Sequence, residues 1–300
     1  MGRTLSLVGV ALSCVALSIP TLLAQAASGI TRSVFVTVTN KNGAPVIDLT
    51  GSDFAVKEGG KGVDDIRAVR ASEQMQIALI VDDNGTGLFR APLARFVQRM
   101  DGHAQMSLSS VVGQTMKIVD YTTRIDAINQ GLATLNARPG TPDGGQLLEG
   151  IAEAADELRR KEAQRPIIIA LTVGGEEHST ATADHVLDQL RRSGASLYVF
   201  SVISSALRST VAVQRPSALL QENLSLQRVL GDGPKQSGGR HMEIAPAAGN
   251  LQDLQHLASE LTQQYRVSYT LPPGMKRSDR LSVSVSRRGV SVRAPSRIPN

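Results

Sequence analysis

Residues 77–87 read IALIVDDNGTG, which is five apolar residues followed by two aspartates and a short polar run with two glycines. The apolar run is typical of a strand that is buried on both faces of a parallel sheet. In such sheets, ligands bind beyond the carboxyl ends of the strands. Asp82, Asn84 and Thr86 alternate along the loop, and oxygen-bearing side chains of this kind are what Mg²⁺ takes as ligands. The stretch predicts a central strand with a candidate metal-binding loop at its end.

The sequence around this stretch alternates between strand and helix patterns. Further strands are predicted at 106–112, 117–122, 166–173 and 195–203, and amphipathic helices at 88–100, 147–161 and 182–194. A helix beginning at Asn250 and a strand at 265–271 follow later. Strands that alternate with helices indicate an α/β fold with a doubly wound, mostly parallel sheet, that is, a Rossmann-like fold.

Shorter β patterns flank this unit. Residues 30–72 contain alternating apolar positions and an Asn-Gly turn, which predicts a small N-terminal β unit. The tail at 272–300 alternates around Arg288-Gly289 and predicts a β-hairpin that pairs with the N-terminal strands. The α/β domain is therefore placed at 73–271. Within it, polar residues and prolines predict an irregular excursion over 204–240, with a short helical piece near SALLQENLSLQRVL.

The first 26 residues have the pattern of a secretory signal peptide. Arg3 precedes a long apolar run, and Ala24-Gln25-Ala26 is a small-residue cleavage pattern. An uncleaved membrane anchor is the alternative interpretation. Cleavage would leave an exported protein, periplasmic or secreted, with no stable membrane insertion. It would also remove Cys14, the only cysteine, so that no disulfide could form.

Composition argues against several classes of function. Lys and Arg number 32 against 27 Asp and Glu, but the chain has no Trp and 3% aromatic residues, whereas single-stranded nucleic acids are bound by basic grooves lined with aromatics. We therefore expect no nucleic-acid partner. The sequence also contains no Gly-x-Ser-x-Gly elbow and no Gly-Lys-Ser/Thr phosphate loop.

Three stretches together resemble a known family. VFVTVTNKNGAPVIDLTGSDFAVKEGG (34–60), IALIVDDNGTG, and SGGRHMEIAPAAGNLQDLQHLASELTQQYRVSYTLPP (237–273) occur in one order along the chain. They resemble the von Willebrand factor type A (VWA) domain, and more closely a group of secreted bacterial proteins with a divergent version of it. The resemblance implies a VWA fold, a leading β unit and a binding role towards a protein partner.

The resemblance also implies a metal ion-dependent adhesion site. In the family, the first loop has the pattern Asp-x-Ser-x-Ser, and a partner's carboxylate completes the metal coordination. Asp82 matches the family Asp, while Asn84 and Thr86 stand at the two Ser positions. An amide oxygen and a hydroxyl remain capable of ligation.

Two further positions of the family site depart from the pattern. Gly145 stands where the family has a Thr ligand, and Val173 stands where it has an Asp. Neither side chain carries an oxygen. Thr141 would replace the lost Thr only if its loop bulged inward. The resemblance therefore implies a degenerate site, with Asp82, Asn84, Thr86 and Thr141 as the candidate metal residues.

Three functions remain open from the sequence. The leading hypothesis is an exported, non-enzymatic protein-binding or scaffold protein that needs no cofactor, in which Asp82 serves only to bond loop backbone N–H groups. The alternative is weak Mg²⁺-dependent ligand binding through Asp82, Asn84 and Thr86. A second alternative is a hydrolase that uses the carboxylates of Asp82, Asp83, Glu176 and Glu177. We expect His178 and His185 to be solvated, and His241 and His256 to be surface or packing residues.

Overall fold

The computed structural model describes Gly2 and residues 29–135, 145–202, 217–244 and 252–299. The predicted signal peptide, Thr141, the helix start at Asn250 and residues 203–216 of the predicted excursion lie outside the described residues.

The described strands and helices follow one another along the chain with a short 3-10 turn at Gly51–Asp53. The strands are β1 (Ile30–Asn40), β2 (Phe54–Glu58), β3 (Lys61–Gly62), β4 (Asp64–Arg70), β5 (Met75–Asp82), β6 (Ala104–Val112), β7 (Gln114–Thr122), β8 (Arg165–Thr172), β9 (Ser196–Val202), β10 (Arg240–Ile244), β11 (Tyr265–Leu271), β12 (Leu281–Val285) and β13 (Val290–Arg293). The helices are α1 (Arg90–Arg99), α2 (Ile125–Thr134), α3 (Leu147–Arg160), α4 (Ala183–Ser193), α5 (Ser217–Ser237) and α6 (Gln252–Thr262).

The central sheet has six strands in the order β10-β9-β8-β5-β6-β7. All neighbours are parallel except the edge strand β7, which runs antiparallel to β6. Numbered by their own sequence, these strands lie in the order 3-2-1-4-5-6 of a doubly wound sheet, whose direction of winding reverses between β5 and β8. The predicted fold class is confirmed.

Both faces of the sheet are covered by helices. Alternate residues of β5 point to opposite sides, so that Ile77 and Leu79 join the core under α1, α2 and α6, whereas Ala78 and Ile80 join the core under α3, α4 and α5. This burial explains the uninterrupted apolar strand sequences. Helix α2 was not predicted. It is short and contains Gly131, where a Cβ would lie 2.6 Å from Val119 Cγ2, so the glycine that allows close packing on β7 also weakens the helical pattern.

Helix α5 includes the short helical piece predicted near residues 217–230, and it continues to Ser237 through residues that were predicted to be irregular. The glycines and Pro234 suggested a loop, because such residues disfavour helices. Packing reverses this preference. Val229 is fully buried against the sheet, and a Cβ at position 233 would lie 2.9 Å from Leu197 Cδ2. A residue without a side chain is needed where the helix crosses β9.

The remaining strands form a small β-sandwich made of a four-stranded sheet, β13-β1-β11-β4, and a three-stranded sheet, β12-β2-β3. Their shared core includes Val36, Phe54, Val56, Tyr265 and Val267. Tyr265 and Phe54 meet edge to face with ring centroids 5.5 Å apart, a favourable aromatic geometry. The N-terminal β unit therefore has a core of its own.

Two strand predictions are corrected by this sandwich. Strand β11 pairs with β1 and β4 and does not enter the central sheet, although we placed it in the α/β domain. Strands β12 and β13 do pair with N-terminal strands, as predicted, but with β2 and β1 in different sheets. The tail is therefore no hydrogen-bonded hairpin. Each half completes the edge of a different sheet, which closes the sandwich core from both sides.

Within the described residues, no helix combines the length and the apolar character that crossing a membrane requires.

Candidate functional site

The candidate site lies at the point where the winding of the central sheet reverses. Strands β5 and β8 are parallel neighbours, and their last paired residues are Asp82 and Thr172. The carboxyl ends of two strands that wind in opposite directions leave a crevice, which is where ligands bind in sheets of this kind. The loop predicted from IALIVDDNGTG therefore occupies the position that the sheet topology favours for binding.

Asp82 is hydrogen-bonded to the neighbouring strand. Thr172 Oγ1 donates to Asp82 Oδ2 at 2.6 Å, and Val173 N donates to the Asp82 backbone carbonyl at 2.9 Å. Burial raises the pKa of Asp82 to about 6, against the lowering effect of the Thr172 hydrogen bond, and the Asp83 charge raises it further. Sequence reasoning missed Thr172. The signal was its position, because it ends a parallel strand next to the strand that carries Asp82.

Asp83 organises the loop. It is 5% exposed, and its carboxylate accepts hydrogen bonds from Gly85 N at 3.1 Å and Gly87 N at 2.9 Å. Burial raises the pKa of Asp83 even though these backbone donors act to lower it. The interpretation that Asp82 bonds the loop backbone is therefore wrong, since Asp83 performs that role.

Asn84 and Thr86 lie on the exposed side of the loop. Asn84 has a positive φ of 50°, which Asn tolerates better than most residues. Thr86 Oγ1 accepts a hydrogen bond from Leu88 N at 3.3 Å. The two side chains are thus accessible. The hydrogen bond to Thr86 shapes the turn that leads into α1.

Gly145 faces Asp82 as the resemblance implies. A Cβ placed on Gly145 would lie 3.6 Å from Asp82 Oδ1, so the position is close enough for a side chain to contact that carboxylate. The same Cβ would lie only 2.7 Å from Val111 Cγ1, which is closer than real Cβ atoms approach a neighbour. The packing of Val111 therefore fills the space that a ligand side chain would need.

Neither Val173 nor Thr141 contributes a side-chain oxygen to the described part of the site. Val173 is partly buried and packs against the core below the sheet's upper edge. Thr141 lies outside the described residues. The position after β8 is therefore apolar, and the hydroxyl one residue earlier, on Thr172, is the polar group that meets Asp82.

Glu177 is a second buried carboxylate at this edge. It is 2% exposed, forms an isolated parallel bridge with Gly145, and accepts hydrogen bonds from Leu148 N at 3.1 Å and from Ser179 Oγ. Leu148 belongs to the first turn of α3, where a carboxylate is stabilised by unpaired N–H groups. Burial nevertheless raises the pKa of Glu177 to about 7, and the charges of Asp82 and Glu149 act in the same direction.

The other candidate residues named from the sequence differ from Glu177 in their burial and contacts. Glu176 is half-buried, and its Oε2 lies 3.9 Å from His178 Nε2. His185 lies exposed on α4. His256 is also exposed, whereas His241 Nε2 lies 2.7 Å from Ser201 Oγ and burial lowers its pKa.

The residues present do not fit the metal site that the resemblance implies. Asp82 is hydrogen-bonded to Thr172, and the two positions that should add oxygens carry Gly145 and Val173. Among residues 29–135, 145–202, 217–244 and 252–299, no group of three or more His, Cys, Asp or Glu side chains is placed to hold a metal ion. Mg²⁺ binds several oxygens in near-octahedral geometry, and this loop presents a single acidic side chain at the crevice.

The four carboxylates of the hydrolase hypothesis make different contacts. Asp83 bonds its own loop, Glu177 bonds the start of α3, and Glu176 is half-buried beside His178. The pKa values of Asp82 and Glu177 are both raised, and the Asp82 charge contributes to the shift of Glu177. Paired carboxylates perform acid-base chemistry when both reach the same substrate atoms, and the hydrogen bonds of Asp82, Asp83 and Glu177 go to three different parts of the protein.

Comparisons with known proteins found similar solved structures at low sequence identity. No protein-family model and no curated protein matches the chain. Similar solved structures include the vWF domain of the pilus tip protein Mfa5 from Porphyromonas gingivalis, with 10% identity, a TM-score of 0.45, and coverage of 64% of this chain and 96% of that one. Another is a von Willebrand factor type A protein from Catenulispora acidiphila, with 12% identity, a TM-score of 0.43, and coverage of 92% and 75%.

A third similar structure is proximal thread matrix protein 1 from the mussel byssus, with a zinc-occupied MIDAS motif. It has 14% identity and a TM-score of 0.45, and the match covers 67% of this chain and 49% of that one. This chain therefore matches about half the length of the mussel protein. At such identities and TM-scores the matches carry no inference about activity, ligand or partner. Judged by its own strand order and helix layers, the central unit has a doubly wound, Rossmann-like α/β fold.

Proposed function

We propose that this chain is an exported, non-enzymatic protein-binding or scaffold protein whose VWA-like domain carries a degenerate metal site. One observation carries the proposal: the polar groups at the crevice are hydrogen-bonded to the protein itself. Asp82 is bonded by Thr172 and Asp83 by Gly85 and Gly87. A site built this way maintains the shape of the loops and holds no reactive group ready for a substrate.

Two further arguments support the proposal. The export of the protein rests on the signal-peptide pattern of residues 1–26, and its final location is the periplasm or the exterior. A protein partner, whose identity the chain does not reveal, is the kind of ligand that the resemblance to VWA domains implies. The loops after β5 and β8 are the surfaces that we propose for contact, because the sheet topology brings them together at one edge.

The metal part of the proposal is tested by calorimetry. Mg²⁺ and Mn²⁺ at millimolar concentration are titrated into the wild-type protein and into Asp82→Ala, and melting temperatures are recorded with and without metal. We expect no binding heat and no metal-dependent shift for either protein. A saturable heat in the wild type that Asp82→Ala abolishes would overturn the degenerate-site interpretation.

The binding part is tested by affinity capture from the native cell envelope, with and without EDTA. We expect one specific partner set that is retained in EDTA and lost when the loop after β5 is replaced by an equally long Gly-Ser loop. A catalytic turnover that disappears in Asp82→Ala would contradict the non-enzymatic assignment.

Weak Mg²⁺-dependent binding is the second candidate. The exposure of Asn84 and Thr86 next to Asp82 favours it, and Thr141 would complete the set only from a segment outside the described residues. This candidate requires Asp82 to be ionised and Thr172 to release it. It predicts metal heats that grow as the pH rises above about 6, the pKa of Asp82, and partner capture that EDTA abolishes.

A further inference from the structure

A cavity of about 570 Å³ lies where the central sheet meets the β-sandwich. It is lined by the first residues of β8 and β9, at Pro166 and Ser196, and by residues of β1 and of the segment 295–299. Asp82 and Thr172 lie at the opposite ends of the strands. Six residues of β8 separate Pro166 from Thr172, which corresponds to roughly 20 Å. The cavity is therefore separate from the candidate site.

One wall of the cavity is apolar. Val34 and Phe35 of β1, Leu187 and Leu190 of α4, and Ile298 near the C-terminus all line it. The volume falls in the range of roughly 300–1,000 Å³ that small-molecule sites occupy, and such sites are lined mainly by apolar side chains. This wall fits the hydrocarbon part of a ligand.

Arginines provide the polar part of the lining. Arg32, Arg191, Arg266 and Arg297 line the cavity together with one acidic residue, Glu73. The lining itself therefore contains four guanidinium groups and one carboxylate. Each of these guanidinium groups already has a carboxylate partner, including Arg32 with Glu58, so the lining offers an anion its remaining N–H donors and no excess of charge.

The arginines are fixed in place by neighbouring carboxylates. Arg266 Nη1 lies 2.6 Å from Glu73 Oε1, Arg297 Nη1 lies 2.6 Å from Asp279 Oδ2, and Arg191 Nη2 bonds Asp188. Each of these pairs engages one terminal nitrogen, whereas a guanidinium has five N–H donors. The side chains are therefore oriented in advance and keep further donors for a ligand.

The walls are tied to one another by backbone hydrogen bonds. Ser296 N and Arg297 N both donate to the Gln236 carbonyl at 3.0 Å, and Ile298 N donates to the Asp279 carbonyl at 2.8 Å. These bonds hold the C-terminal segment against the end of α5. A cavity that is formed before its ligand arrives saves the cost of ordering the walls on binding.

We propose that this cavity binds a small amphipathic carboxylate, namely a fatty-acid-like molecule whose hydrocarbon chain lies on the β1–α4 wall and whose carboxylate meets Arg191 and Arg266. The proposal is independent of the function assigned to the loops at the other end of the sheet.

The test uses decanoate as the probe and 1-decanol as its uncharged counterpart, titrated into the purified and delipidated protein by calorimetry. We expect decanoate to bind with one-to-one stoichiometry and decanol to bind at least ~10-fold more weakly, because a charge-assisted hydrogen bond contributes on that scale. Absence of decanoate binding, or equal affinity for the two probes, would overturn the proposal.

A matched pair of variants separates a ligand contact from a general charge effect. Arg191 and Arg192 are adjacent on α4 and both pair with Asp188, but only Arg191 lines the cavity. We expect Arg191→Gln and Arg266→Gln to weaken decanoate binding ~5-fold or more, and Arg192→Gln to leave it within about twofold. Equal losses in Arg191→Gln and Arg192→Gln would contradict the proposed contact.

A cavity-filling variant gives a second readout. Ser33 is an exposed position of β1 that lines the cavity, and Ser33→Trp would block the apolar wall with the only tryptophan in the chain. We expect it to abolish decanoate binding without lowering the melting temperature. Undiminished binding in a folded Ser33→Trp protein would show that the probe binds elsewhere.

Discussion

Thr172 donates a hydrogen bond of 2.6 Å to Asp82 across the two strands where the central sheet reverses its winding. The same hydroxyl oxygen accepts a hydrogen bond from Gly174 N at 2.9 Å. Thr172 therefore connects the loop after β5 to the loop after β8. Its hydroxyl also gives the Asp82 carboxylate a hydrogen-bond donor from the neighbouring strand.

Replacing Thr172 by Val tests this connection. The variant removes the donor to Asp82 and the acceptor for Gly174 N, so we expect it to lower the free energy of unfolding by about 2 kcal/mol at pH 7. We also expect the pKa of Asp82 to rise further above its value of about 6, because its lowering partner is lost. Urea unfolding and an NMR pH titration measure the two effects, and Thr172→Ser, which keeps the hydroxyl, is the control. A Val variant as stable as the Ser variant would contradict the role given to Thr172.

Glu177 makes the stability depend on pH. Its pKa in the folded protein is raised from 4.5 to about 7, so between these values the folded state holds a proton that the unfolded state has released. The free energy of unfolding therefore falls as the pH rises from about 4.5 to 7 and levels off above 7. The loss due to Glu177 is of order 3 kcal/mol at most.

Glu177→Gln is the variant that tests this pH dependence. Because the amide cannot ionise, we expect a shallower decline of stability between pH 5 and 7 and a more stable protein at pH 8. A residual slope remains from Asp82, whose pKa is also raised. Denaturant unfolding at several pH values measures the curve, and Glu176→Gln, at the half-buried neighbouring position, serves as the control. Parallel curves for wild type and Glu177→Gln would refute the assignment.

Asp83 is expected to stabilise the loop more than Asn84 does. Asp83→Ala removes the acceptors of Gly85 N and Gly87 N, and we expect a loss of about 2 kcal/mol. Asn84→Gly keeps these bonds and suits the positive φ of that position, so its effect should stay within about 0.5 kcal/mol. Urea unfolding compares the two variants, and limited proteolysis shows whether the loop opens. Equal stability of the two would mean that the Asp83 bonds contribute little.

Gly145→Thr introduces a threonine, which is the metal ligand of VWA domains at the equivalent position. We expect it to destabilise the protein by about 2 kcal/mol, because the new Cβ would lie 2.7 Å from Val111 Cγ1 and overpacking of a core has this cost. Val111→Ala provides room, so the double variant should lose less than the sum of the two single variants. Thermal and urea unfolding of the four proteins give the coupling energy, and strict additivity would indicate that Val111 is not what excludes a side chain here.

The sequence by itself determined the fold class. Strands such as IALIV and PIIIA are apolar throughout because both faces of the central sheet are covered. Five of the six central strands were predicted, the more polar β6 and β7 among them. The alternation of Val34, Val36 and Val38 likewise identified a half-buried strand of the sandwich. Local patterns predict these features because burial repeats at the period of the backbone.

Tertiary structure decided everything that depends on a partner far along the chain. It moved β11 out of the α/β unit and placed β12 and β13 in different sandwich sheets, since the sequence of a strand does not show which distant strand it pairs with. It also extended the helix predicted near residues 217–230 to Ser237, where packing on β9 outweighs the poor helix propensity of Gly233 and Pro234. At the candidate site, the sequence named Asp82, Gly145 and Val173, but only the folded chain shows that Thr172 bonds Asp82, that Asp83 holds the loop and that Glu177 is buried, because hydrogen-bond partners are chosen by distance in space and not by distance in sequence.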